Sequence, residues 1–148
     1  MTKTQVIEAL QEAIEFKIND LQLQLDEILQ SMQNDTKSTA GDKHETSRAM
    51  AQIEQEKIGN QLAETVKLKN QLVSISSLTS YDTIRSGNLV ETTNGFFFLG
   101  IPFGQLKIDP TSVFCLSVVA PLGQLLLDKK VNDTILLNGK SIEIIAIH

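Results

Sequence analysis

The chain has 148 residues, 41% hydrophobic and 21% charged, with a formal net charge of −5. This suits one ordinary folded domain or two small ones and argues against wholesale disorder. The acidic balance argues against a protein that grips duplex nucleic acid by neutralising phosphates, and the lone Cys115 excludes an internal disulfide or a multi-cysteine zinc site.

Taken in chain order, Thr2 and Gln5 have the form of a capping box, so a helix is expected to begin near Lys3 or Thr4. Ile7, Leu10, Ile14, Ile18, Leu21, Leu25, Ile28 and Met32 follow at spacings of three or four, a nearly unbroken a/d stripe on a helix expected to end near Asn34. The polar stretch 34–41 is a loop. A second helix is expected from about Asp42 to Leu72 or Val73, with Met50, Ile53, Ile58, Leu62, Val66 and Leu72 as its sparser apolar positions. Two helices joined by a short polar loop fold back as an antiparallel hairpin, each rod roughly 45 Å long.

The composition changes at the Ser/Thr-rich run 74–80: two glycines and no proline precede it, six glycines and all three prolines follow. The boundary is therefore drawn there, giving a coiled-coil hairpin over 1–75, with its tip around 35–46, and a second domain over 76–148. Strands are expected at 88–92 and 95–99 across Asn94-Gly95, at 112–119, and at 134–137 and 141–145 across Asn138-Gly139. Ala120-Pro121 opens a short helix to about Leu127. The fold class is α+β: a helical hairpin, then a small antiparallel sheet with one short helix. Phe96, Phe97 and Phe98, with Phe103 and Phe114, are expected to be mostly sheet core, and Cys115 a buried small hydrophobe.

Few residues carry chemistry. There is no Gly-x-Ser-x-Gly elbow, no P-loop and no Gly-x-Gly-x-x-Gly. The notable polar constellation is at the hairpin tip, Gly41-Asp42-Lys43-His44-Glu45. Asp42 and Glu45, three apart, share a helix face or clasp the helix end, and the plainer reading is a capping box beside the positive end of the helix dipole. The alternative is a carboxylate pair for a hard divalent cation. Mg²⁺ wants six oxygens, so two carboxylates would only complete a site supplied by another macromolecule. His44, Lys37, Lys43 and Arg48 read as solvated surface. No run is long enough to span a membrane, and the polar start Met1–Gln5 is unlike a signal peptide, so a cytoplasmic protein is expected.

The hairpin, its acidic tip and the C-terminal stretch Ala120-Pro121-Leu122-Gly123-Gln124 through Asn132-Asp133 together resemble the bacterial transcription elongation factors of the GreA/GreB family. That family carries a similar Ser-Pro-apolar helix, then Gly-Lys and a Gly-Asp turn. Here Ala120 replaces the serine, and Asp128 and Asn132 stand where glycines are usual. Both residue types tolerate a positive φ. At the tip, Asp42-x-x-Glu45 resembles the family's acidic loop, whereas Thr46-Ser47-Arg48-Ala49 departs from its usual Asn-Ala-Glu-Tyr.

The resemblance implies an FKBP-like C-terminal domain docking at the rim of the RNA polymerase secondary channel, with the coiled coil inserted. It implies that Asp42 and Glu45 help the polymerase hold a catalytic Mg²⁺, so that the polymerase cleaves backtracked transcripts. The chain would have no catalytic centre of its own, and would contact the transcript 3′ end only weakly. A channel-binding regulator without cleavage is the second reading, favoured by Thr46–Ala49. A third is a coiled-coil interaction module that dimerises through the Ile7–Met32 stripe; the chain is otherwise expected to be a monomer, with a dimer through the helical hairpin as the alternative.

Overall fold

The computed structural model describes residues 1–35, 41–77 and 82–148, with the backbone alone at 35 and 41–44. Helix α1 runs Lys3–Asp35 and helix α2 runs Gly41–Ser76. The expected cap is formed: the Thr2 amide donates to Gln5 Oε1 at 2.9 Å and the Gln5 amide to Thr2 Oγ1 at 3.2 Å. Two otherwise orphaned donors at the helix start are thereby satisfied.

Leu10, Ile14 and Leu21 of the predicted stripe are buried, and Ile7, Ile18, Leu25, Ile28 and Met32 are half-buried. Val6 is fully buried as well, ahead of Ile7. A helix of 3.6 residues per turn drifts against a 3.5-residue repeat, so near its start the inward row is 6-10-14. On α2 the inward row differs from the expected one. Ile58, Thr65 and Leu72 are buried at heptad spacing, while Met50 and Ile53 are each 67% exposed and Val66 is 39% exposed. Thr65 can replace an apolar side chain because its hydroxyl donates to the Gln61 carbonyl one turn back, at 2.7 Å.

The Ser-rich run does not stop α2 at Val73. Ser74 donates to the Asn70 carbonyl and Ser76 to the Val73 carbonyl, so these hydroxyls bond back onto the helix. The expected tip loop 35–46 overlaps the first turns of α2, and its residues 36–40 lie outside the described residues, as do 78–81 of the linker. Among the described residues no helix is long and apolar enough to cross a membrane.

Strands β1 (Leu89–Thr92), β2 (Gly95–Leu99), β3 (Gly104–Ile108), β4 (Thr111–Leu116), β5 (Thr134–Leu137) and β6 (Lys140–Ile147) form one sheet in the order β3-β4-β2-β1-β6-β5. Helix α3 (Pro121–Leu126) lies between β4 and β5 in sequence. Two details depart from the sequence reading. The pattern assigns no strand between Leu99 and Ser112, yet β3 is there, its Leu106 and Ile108 alternating between two prolines. Because β3 forms a hairpin with β4, β4 returns alongside β2 in the same direction, and this pair is parallel. The Asn138-Gly139 turn has positive φ at both residues, 50° and 79°, the type I′ geometry this pair favours. In the first hairpin the turn residues are instead Thr93 and Asn94, with Gly95 opening β2 at φ 111°.

The chain divides into two compact units, one of Met1–Glu12 with Leu68–His148 and one of Ala13–Lys67. In the first, both sheet faces are covered. Val90, Phe97, Leu99, Leu116 and Ile144 form one face, packed with Ile84, Leu126, Ile135 and Ile142. Leu89, Phe98, Val113 and Cys115 are buried on the other. Val6, Leu10 and Leu72 are buried in the same unit. In the second unit, Leu29, Met32 and Gln33 share a recess with Arg48, so the end of α1 lies beside the beginning of α2 and the helices run antiparallel.

Candidate functional site

Asp42 and Glu45 fall in the opening turn of α2, whose first residue is Gly41. A separation of three turns both positions to one side of the helix. Glu45 is exposed, and the side chains of Asp42, Lys43 and His44 lie outside the described residues. Carboxylates at a helix N-terminus are favoured by the backbone dipole and by its unpaired amides. As hard oxygen donors they suit a hard cation, but the pair supplies too few oxygens to hold Mg²⁺ alone. Among the described residues no group of three or more His, Cys, Asp or Glu side chains could hold a metal ion. Arg48, one turn further along α2, borders the recess of about 250 Å³ that it shares with Leu29, Met32 and Gln33.

The C-terminal stretch from Val118 to Asp133 has a defined geometry. Ala120 is extended, with φ −64° and ψ 152°, and gives no side-chain cap; Pro121 opens α3, where its missing amide hydrogen costs nothing. Gln124 Nε2 donates to the Val118 carbonyl at 2.7 Å. Gly123 is required by contact rather than by φ: a Cβ there would run into the Ser117 carbonyl oxygen and the Val118 backbone.

Asp128 and Asn132 both have left-handed backbone, with φ 65° and 72°. Their amides are anchored, Asp128 to the Ile84 carbonyl at 2.9 Å and Asn132 to the Ile144 carbonyl at 2.8 Å. Asp133 closes the turn by accepting from the Lys130 amide at 2.7 Å. Glycine favours this backbone, and aspartate and asparagine are the other residues that tolerate it best.

Cys115 is 2% exposed on the sheet. Burial pushes its thiol up to about 12, so it is a packing residue and not a nucleophile. Of the five phenylalanines considered, Phe97 and Phe98 are core, whereas Phe114 is 51% exposed.

A further feature has no counterpart in the sequence reading. Within the helical hairpin lies a groove of about 530 Å³, bordered by Glu27, Ile28 and Ser31 of α1 and by Met50, Ala51 and Glu54 of α2. Ala51, half-buried, and Ser31, exposed, are the small side chains among those that line it. The signal in the sequence was the missing large residue at Ala51, one heptad before Ile58.

No protein-family model, curated protein or solved structure matches this chain.

Proposed function

We propose that this chain is a transcription elongation factor of the GreA/GreB kind, binding the secondary channel of RNA polymerase and stimulating Mg²⁺-dependent cleavage of backtracked transcripts. The observation that carries the reading is the position of Asp42 and Glu45. They sit in the opening turn of the returning helix of an antiparallel hairpin, where an inserted rod would present them first. The left-handed backbone at Asp128 and Asn132 supports it further, since these positions accommodate the glycines that the family carries.

In this reading the chain's own work is electrostatic and positional. Asp42 and Glu45 supply oxygen ligands to a cation held mainly by the polymerase, and the helix supplies the reach. The cation, when bound, polarises the phosphate and lowers the pKa of a coordinated water. In this reading the sheet unit is FKBP-like and docks at the rim of the channel.

The test uses stalled, backtracked elongation complexes with 3′-labelled RNA and Mg²⁺. Wild-type protein should release 3′ fragments. Asp42→Asn or Glu45→Gln should reduce that release by about 10²-fold or more while polymerase binding persists. Loss of binding in step with activity would overturn this division of labour.

One observation favours a second reading, a channel-binding regulator without cleavage. Arg48 puts a cation one helical turn from the acidic pair, where the family usually has an acid. Slowed elongation without fragment release would select it.

A further inference from the structure

We propose that the groove in the helical hairpin is a docking site for a basic amphipathic helix of a partner protein. This inference does not depend on the polymerase reading. Three observations carry it. The floor is apolar and shallow, because Ile28 is only half-buried and Ala51 leaves room above it. The α2 rim carries Met50 and, one helical step along, Ile53, each 67% exposed, so apolar surface continues out of the groove. The charged residues bordering the groove are Glu27 and Glu54, with no lysine or arginine among the residues that line it.

An occupant that fits must place one large apolar side chain over Ala51 and basic side chains toward the two carboxylates. A helix with apolar residues at i, i+3, i+4 and i+7, flanked by lysine or arginine, does both. The same charges exclude the other candidates. Glu27 and Glu54 border the groove, so a second copy seated on it groove to groove would set one acidic rim against another. A nucleic-acid strand would bring phosphates to the same carboxylates.

The probe is a fluorescein-labelled peptide of leucine and lysine alone, about four helical turns long, with leucine at that spacing. It is titrated with the full chain at low salt, where exposed charge pairs are least screened. Saturable one-to-one binding is expected. Glu27→Gln with Glu54→Gln should weaken it about fivefold. Ala51→Leu, which fills the floor, should weaken it about tenfold. Circular dichroism and thermal melting show whether each variant keeps its helices.

Glu8→Gln with Glu12→Gln removes the same charge from exposed positions outside this unit and should leave binding unchanged. A peptide with glutamate for lysine should not bind. The proposal is overturned if the Glu8/Glu12 variant loses as much affinity as the Glu27/Glu54 variant, since attraction would then be mere net charge. It is equally overturned if no saturable binding occurs, or if sedimentation finds a dimer that Ala51→Leu dissociates, since a second copy would then be the occupant.

Discussion

Asn132 holds φ at 72° and Asp128 at 65°, a conformation that costs an ordinary L-residue about 1 kcal/mol or more. Asparagine and aspartate bear this cost best, so alanine at Asn132 should lower stability by about 1 kcal/mol, whereas glycine should leave it unchanged or raise it slightly. Urea melts of the two variants distinguish these outcomes. Gly123 makes a contrasting case, for there the constraint is the neighbouring backbone and not φ. Gly123→Ala should cost about 1–3 kcal/mol, because the Ser117 carbonyl has to move.

Cys115 gives a pH dependence with a definite sign. Burial raises its pKa from 9.0 to about 12, so above pH 9 the unfolded chain releases a proton that the folded chain retains. Its contribution to stability is fully present below pH 9 and is lost as pH rises toward 12, with a limiting slope of about 1.4 kcal/mol per pH unit. Urea melts of wild type and Cys115→Ala across that window should differ by this slope. Parallel curves would show that the thiol is not the group responsible.

At the scale of elements, α2 contains two isoleucines whose fates differ. Ile58 is 3% exposed and Ile53 is 67% exposed. Ile58→Ala should therefore cost about 2–4 kcal/mol, and Ile53→Ala less than about 0.5 kcal/mol, as read by thermal melting followed at the helical circular-dichroism band. Equal losses would contradict the inward row 58-65-72.

The apolar pattern alone could not separate these two residues. Met50, Ile53 and Val66 are apolar like Ile58, and the true row passes through Thr65, which a hydrophobicity reading rejects. α1 was legible because its stripe is dense and its cap is a local motif, Thr2 with Gln5. The Asn-Gly hairpins and the Pro121 helix start were legible for the same local reason. β3 was not, because Pro102 and Pro110 read as loop punctuation on either side of a strand whose partner is specified by the tertiary fold. Of the site, the acidic pair was visible as a spacing in the sequence. The groove was legible only in part: Ala51 stands one heptad before Ile58, where a large residue would fill the space, but which α1 residues lie beside it is set by the pairing of the two helices.

On the scale of the whole molecule, the two compact units differ in how much they bury. Within 13–67 the buried side chains among the described residues are Ile14, Leu21, Ile58 and Thr65, whereas the sheet is covered on both faces. Native-state hydrogen exchange should reflect this. Amides in the middle of α1 and α2 are expected to exchange at least about tenfold faster than those of β1, β2 and β4, because local opening there exposes little apolar surface. Uniform protection would mean that the chain opens as a single cooperative body.

β1 precedes the other five strands of this sheet in the sequence, yet it lies between β2 and β6. A nascent chain that stops short of Lys140 leaves one edge of β1 open and lacks Ile142 and Ile144 over the Val90–Phe97 face. An open strand edge beside uncovered apolar side chains invites misassociation and proteolysis. The sheet can therefore close only once translation has passed β6. Deleting Lys140–Ile147 should leave the sheet without a stable core, seen as lost protease resistance beside the undeleted chain.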